Sequence, residues 1–242
     1  MNVSVPVPAC QNDQPSPDFH HAHIRAIGRT MRFLTALHVR LLNLRSNRRT
    51  FTDIYRKNLW GSDESRSGQG STLAMSASIR GQLPPLLREL ATRSLLDVGC
   101  GEMNWMRMVD LGVDYIGVDV VPDLIEENRR LYRNRQFLVA DATKDRLPSA
   151  DVVLCRQCLI HLSNRQVVMV LRNLKNTRAN YLLATTFPAI TNNADIWSGS
   201  FRPINLELQP FNLPKPLHVL YDSKPADQSS VLSLWRFTDI TI

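Results

Sequence analysis

Leu95-Leu96-Asp97-Val98-Gly99-Cys100-Gly101, followed by Tyr115-Ile116-Gly117-Val118-Asp119, is the stretch that decides the fold. It reads as an apolar strand, a glycine turn, a helix starting near Met103, and a second strand that ends in a carboxylate. Glycine has no Cβ and tolerates a positive φ, so such a turn lets the main chain approach a ligand closely. A helix starting behind it would aim its free N–H groups into the turn. Asp119 follows Gly99 by twenty residues, where the second strand of a βαβ unit ends and a carboxylate can hold a ribose diol. The spacing predicts a nucleoside-binding site.

A dinucleotide site would need a third glycine so that the helix could pack close under a pyrophosphate. Asn104 stands there instead, followed by bulky Trp105 and Met106, and Glu102 directly follows the turn. That environment serves an anion poorly. A ligand with a ribose, an adenine and a zwitterionic amino-acid tail suits it better.

The pattern Asp97-x-Gly99-x-Gly101, with Asp119 closing the second strand and Asp141-Ala142 after a third (Phe137 to Ala140), resembles the class I S-adenosylmethionine-dependent methyltransferases over roughly residues 53–242. The resemblance implies a Rossmann-like α/β fold: a doubly wound seven-stranded sheet, its last strand antiparallel, with an N-terminal helical extension. It implies S-adenosyl-L-methionine as cofactor. The turn from Asp97 through Gly99 and Cys100 to Gly101, with Asn104 and Trp105 after it, would hold the methionine moiety. Asp119 would take the ribose hydroxyls, with Val120 beside it. Asp141 would reach the adenine amino group, and Ala142 would lie against the ring. Arg156 and Gln157, after a fourth strand, would border the sulfonium. Leaders with the wording Trp60-Gly61-Ser62 and Ser67-Gly68-Gln69-Gly70-Ser71 resemble a bacterial group of such enzymes.

Composition sets the outer limits. A 242-residue chain with 43% hydrophobic and 21% charged residues can bury a full core as a soluble globular protein. No apolar run approaches the roughly 20 residues of a membrane span, and the Pro-rich polar start lacks the pattern of a secretory signal. The expected location is cytoplasmic. Cys155-x-x-Cys158 has metal or redox spacing, but no second pair completes a zinc site, so small buried apolar residues are the better reading.

Charge is unevenly placed. Phe19 to Thr52 carries seven arginines and no acid, while the remaining 22 basic and 22 acidic residues cancel. Residues 1–18 read as a disordered tail and 19–52 as a basic arm. Within the arm Ile24, Ile27, Met31, Leu34, Leu37, Leu41 and Leu44 form one stripe at helical spacing. Such a helix could cover the domain or a partner subunit, rest through residues 24–49 on an anionic membrane surface, or contact phosphates. Residues 53–242 read as the methyltransferase domain, with 53–92 as a leader segment. In it, helices are expected over Thr52–Leu59 and Leu73–Gly81, resuming at Leu86 after Pro84-Pro85. The Gly/Ser-rich stretch between them is a flexible linker or, given its Trp, Asp, Glu and Arg, a lid on the substrate side. From Ser94 strands at 95–98, 115–119, 136–140, 151–155 and 180–186 alternate with helices near 103–111, 122–134 and 164–176, which implies a parallel sheet. Strand-like runs at Leu217–Tyr221 and Val231–Thr238 would form a closing hairpin.

Methyl transfer to oxygen needs a base to remove the acceptor's proton. Of six histidines, His161 alone falls just past the fourth strand, where a base or a packed structural histidine are both open readings. Trp60, Ser71 and Arg202 are candidates for the acceptor side, Arg202 equally for a surface role. No carboxylate follows the fifth strand, Thr185-Thr186-Phe187-Pro188, so no metal is expected. The loop Cys155-Arg156-Gln157-Cys158 also lacks the proline-rich wording of amino-directed nucleic-acid enzymes. The resemblance to methyltransferases that serve glycan or secondary-metabolite pathways implies a small-molecule or glycan hydroxyl as the preferred acceptor. A nucleic-acid methyltransferase using the basic arm, disfavoured by the neutral domain, and a non-catalytic cofactor-binding interaction protein are the alternatives.

Overall fold

The computed structural model describes residues 46–222 and 230–242. The tail, the arm's stripe at 24–44 and the membrane-contact reading of 24–49 therefore fall wholly or mostly outside the described residues. No helix among the described residues is long and apolar enough to cross a membrane.

Apolar strands and amphipathic helices alternate from Ser94 onward and assemble as expected. The strands are β1 (Ser94–Val98), β2 (Asp114–Asp119), β3 (Gln136–Val139), β4 (Val152–Cys155), β5 (Tyr181–Thr186), β6 (His218–Tyr221) and β7 (Val231–Arg236). They form one sheet in the order β3-β2-β1-β4-β5-β7-β6. The pairs among β1 to β5 are parallel, and β7 runs antiparallel to both β5 and β6. The helices are α1 (Asn47–Arg56), α2 (Ala77–Glu89), α3 (Pro122–Leu131) and α4 (Asn164–Lys175).

Successive side chains of a strand point to opposite faces, and both faces here are covered. Leu95, Leu154 and Leu183 pack with Ile79, Leu83 and Leu87 of α2 and with Leu124 and Ile125 of α3. Their neighbours Leu96, Val153 and Leu182 pack with Val167, Val170, Leu171 and Leu174 of α4. Burial on both faces explains why the central strands read as continuous apolar runs. At the open side, the Gln82 side-chain amide closes the edge of β6: it donates to the Tyr221 carbonyl (3.0 Å) and accepts from its N–H (3.3 Å).

Three elements differ from expectation. First, no α-helix follows β1. Met103 takes φ +63°, and only a 3₁₀ turn forms, over Met106–Met108. Buried Met103, Trp105 and Met106 anchor this segment into the core, and their packing outweighs helix propensity. Second, α2 runs unbroken through Pro84 and Pro85. The carbonyls that these prolines free belong to Arg80 and Gly81; Gly81 and Pro85 are exposed, while Ile79, Leu83, Leu86 and Leu87 pin the opposite face. Third, α1 begins at Asn47 rather than Thr52, because Ser46 caps it by accepting the Arg49 N–H (3.3 Å). It thus crosses the boundary that the charge pattern draws at residue 52.

Candidate active site

Parallel strands end together, and their carboxyl ends are where a crevice opens in such a sheet. The cleft holds about 880 Å³ of free space, its open mouth included. Gly99 and Gly101 from the β1 turn, Asp119 and Val120 after β2, and Asp141 and Ala142 after β3 line it. Arg156, Gln157 and His161 beyond β4 join them, as do Trp60 and Ser71 of the leader. These eleven of the sixteen candidate residues lie on one cleft.

At the first wall the chemistry is local in sequence. Gly99 and Gly101 take φ +77° and +60°, and a Cβ on either would stand 2.8 Å from Cys158 Sγ or 2.6 Å from Ser67 Oγ. The glycines therefore let two other segments press against the turn. The Gly99 and Cys100 N–H groups donate to the Val118 carbonyl (2.8 and 3.1 Å). The Gly101 N–H donates to Asp119 Oδ2 (3.2 Å) and the Glu102 N–H to Ser67 Oγ (3.2 Å). No run of free N–H groups faces the cleft here, contrary to the expectation of a helix N-terminus behind the turn.

Asp119 accepts the Gly101 N–H and, through Oδ1, the Val121 N–H (3.1 Å). Burial raises its pKa, and those two bonds oppose the rise. Each oxygen keeps a lone pair, so the carboxylate is an acceptor in need of donors. Asp141 Oδ1 is more heavily engaged. It accepts from Asn47 Nδ2 (3.1 Å) and from the N–H (3.1 Å) and hydroxyl (2.7 Å) of Thr143. Its other oxygen has Lys144 Nζ at 3.9 Å.

The remaining expected cofactor residues lie outside the lining. Asp97 is buried, accepts the Tyr115 hydroxyl (2.7 Å), and is pushed by burial up to about 7. Cys100 is buried against Gly117. Asn104 Nδ2 donates to Glu64 (2.7 Å) and to the Ser71 carbonyl (3.0 Å), which ties the leader to the turn. Trp105 lies under the Arg156 guanidinium, 4.8 Å away. Arg156 also forms a buried ion pair with Asp222 (2.6 Å), and Gln157 Nε2 donates to the same carboxylate (2.9 Å).

The second wall is built from distant segments. His161 ends a 3₁₀ turn, Leu159–His161. Its Nδ1 lies 2.9 Å from the Ser200 carbonyl, and the Trp60 indole stacks on its ring at 4.4 Å. A carbonyl only accepts, so Nδ1 carries the proton and Nε2 is the free base. Burial, with Arg202 adding to it, lowers the imidazole to about 4. Arg202 itself does not reach the cleft. It is buried, and its guanidinium donates to the carbonyls of Ala194 (2.8 Å), Leu159 (3.4 Å) and Ile160 (3.3 Å) and to Asn164 Oδ1 (2.7 Å).

Sequence reasoning missed the part played by α1. Asn47, Phe51 and Tyr55 line the cleft at helical spacing, and Arg56 pairs with Asp123 at the start of α3 (2.6 Å). That four-residue spacing was visible, but Asn47 and Phe51 fell inside a segment read by its charge. Ser67 and Cys158 were missed because nothing local marks a residue that abuts a glycine.

The cleft fits the expected cofactor. A desolvated carboxylate at Asp119 matches a vicinal diol, apolar Val120, Leu124 and Ala142 can flank a purine, and the turn offers no anion-binding donors. Residues 95–179 match the family model described as "Methyltransferase domain". No curated protein matches the sequence. The chain is similar to the S-adenosylmethionine-bound magnesium protoporphyrin IX methyltransferase of Synechocystis PCC 6803: TM-score 0.54, 12% identity, covering 79% of this chain and 98% of that one. It is also similar to 1,6-didemethyltoxoflavin-N1-methyltransferase of Burkholderia thailandensis, with TM-score 0.52, 15% identity, and 94% and 92% of the two chains covered. The match over residues 95–179, set in this seven-stranded sheet, marks a methyltransferase domain in the fold of the two methyltransferases above.

Proposed function

We propose that the enzyme methylates a hydroxyl of a small-molecule or sugar acceptor, with His161 as general base. The observation that carries this reading is the tautomer of His161. Its Nδ1–H is held by the Ser200 carbonyl, which leaves Nε2 unprotonated on a residue that lines the cleft. An imidazole lowered to about 4 is neutral throughout the neutral range, so Nε2 keeps a free lone pair there.

When bound, S-adenosylmethionine supplies a methyl carbon activated by its sulfonium. The chain's own residues divide the remaining work. Asp119 receives the ribose hydroxyls, Val120 and Ala142 flank the adenine, and Asp141 offers its less engaged oxygen to the adenine amino group. Gln157 borders the reacting end. His161 Nε2 accepts the acceptor's hydroxyl proton as the oxygen attacks, then releases it to solvent. Trp60 and Ser71 close the acceptor side. Orientation of the acceptor oxygen supplies the rest of the rate.

Two of the cations beside the cleft are engaged within the protein. Arg156 is spent on Asp222, and Arg202 on main-chain carbonyls and Asn164. Neither can displace counterions from a nucleic acid. The test is methyl transfer from radiolabelled S-adenosylmethionine to a panel of phenols, sugars and nucleic acids. Transfer to a neutral hydroxyl, lost in His161→Ala, is expected. Transfer to nucleic acid alone would overturn the acceptor class.

A further inference from the structure

We infer that Arg202 is a positioning residue: it holds the 194–202 segment against the 159–161 turn, so that the Ser200 carbonyl fixes His161 with Nε2 as its basic nitrogen. The inference rests on the reading of His161 as base and assigns to a second residue the task of keeping it one.

The two segments are far apart in sequence, and a ladder of bonds joins them. The Arg202 N–H donates to the Ile160 carbonyl (3.2 Å), and the Gly199 N–H donates to the His161 carbonyl (2.8 Å). Between these rungs lies the Ser200 carbonyl on His161 Nδ1 (2.9 Å). Main-chain rungs alone set spacing, but they leave the end of the ladder free to fray. The guanidinium closes it. Its planar fork reaches Leu159, Ile160 and Ala194 carbonyls and Asn164 Oδ1, and so spans both segments and the start of α4. Trp60 braces the other side, stacking on the imidazole and donating its indole N–H to the Gly199 carbonyl (3.4 Å).

The charge has a consequence of its own. Arg202 is the charged group facing His161, and it opposes a second positive charge on the ring. Behind it, Asp195 accepts the Asn164 N–H (2.7 Å) and partly offsets the guanidinium. Burial does most to keep the imidazole neutral; Arg202 adds to it and, through the ladder, picks which nitrogen is the base. A ring with the opposite tautomer would present N–H, a donor, to the acceptor hydroxyl and could not take its proton.

The experiment is nitrogen NMR of histidine-labelled full-length protein, which reads tautomer and protonation without any acceptor. In the native protein His161 should be the Nδ1–H tautomer and stay neutral to below pH 5. Arg202→Gln should bring in the Nε2–H tautomer. S-adenosylhomocysteine affinity should stay within about twofold. Arg202→Lys keeps the charge and loses the fork, so the tautomer should change here too. Asn164→Ala, a milder change that removes one of the guanidinium's acceptors, should shift the tautomer in the same direction. An unchanged tautomer in a folded Arg202→Gln protein, or in Asn164→Ala where Arg202→Gln does not fold, overturns the inference. If His161→Ala retains full transfer while these NMR shifts occur, the base assignment falls and the clamp on the ring stands.

Discussion

The two walls of the cleft are built on different plans. The Asp119 wall is assembled around one neighbouring strand pair, β1 and β2: Asp119 is held by the N–H groups of Gly101 and Val121, eighteen and two residues away. The His161 wall draws on Trp60, Ser200 and Arg202, contacts made across long stretches of chain. The Asp119 carboxylate has its two donors as soon as β1 and β2 pair. The second wall exists only once the leader, the loop after β4 and the 194–202 segment between β5 and β6 have docked. Cofactor binding should therefore survive damage that disables the acceptor side, and the reverse should not hold.

The strongest way to break this comparison is His161→Ala. Turnover should fall by about a hundredfold or more, with S-adenosylhomocysteine affinity by calorimetry unchanged; a matching loss of affinity would merge the two walls into one. Asp119→Ala should weaken cofactor-product binding by about 2–3 kcal/mol, the scale of charge-assisted bonds to a diol. Unaltered affinity would remove the ribose role. A smaller effect is expected from Gly101→Ala. Positive φ and the nearby Ser67 hydroxyl should together cost about 1–3 kcal/mol of stability in chemical denaturation. No loss would mean that the leader does not press on the turn.

A pH series gives the subtlest contrast, because the walls tilt in opposite directions. Asp97, next to the first wall, has a folded pKa raised to about 7 from 3.8. The folded state then holds the extra proton between those values, so this group's contribution to stability falls as pH rises from about 4 to 7. His161 is lowered to about 4 from 6.5. There the unfolded state holds the extra proton, and the contribution is lost as pH falls from 6.5 toward 4. Relative to native protein, Asp97→Asn should remove a downward slope of stability with pH, and His161→Gln an upward one. Melting curves from pH 4 to 7.5 would read both, and slopes of the same sign would refute the assignment.

Legibility in the sequence followed the same division. β1 to β5 were placed to within a residue or so at each end, because buried parallel strands are short apolar runs between turn residues. Asp119 and the Gly99–Gly101 turn were readable from spacing alone. The segment after β1 was not, since Met103, Trp105 and Met106 are apolar at a spacing that suits either a helix or a packed irregular loop, and only the core around them decides. Pro84-Pro85 misled for a related reason: the packing of Ile79, Leu83, Leu86 and Leu87 carries the helix through them, and that packing is not visible locally. His161 was visible by position, yet its tautomer depends on a carbonyl thirty-nine residues onward. A main-chain carbonyl has no side-chain signature, so no motif could have announced it. Arg202 was noticed as a cation and misplaced, because nothing in sequence distinguishes a guanidinium aimed at ligand from one aimed at backbone.

The Gln82 amide on Tyr221 has a bearing on what the molecule does in a crowd. An outermost strand with unmet donors and acceptors invites another chain to lengthen the ladder. Here a glutamine from a helix takes the last rung on both its N–H and its C=O. A newcomer that pairs at Tyr221 must first evict it, so α2 guards that end of the strand.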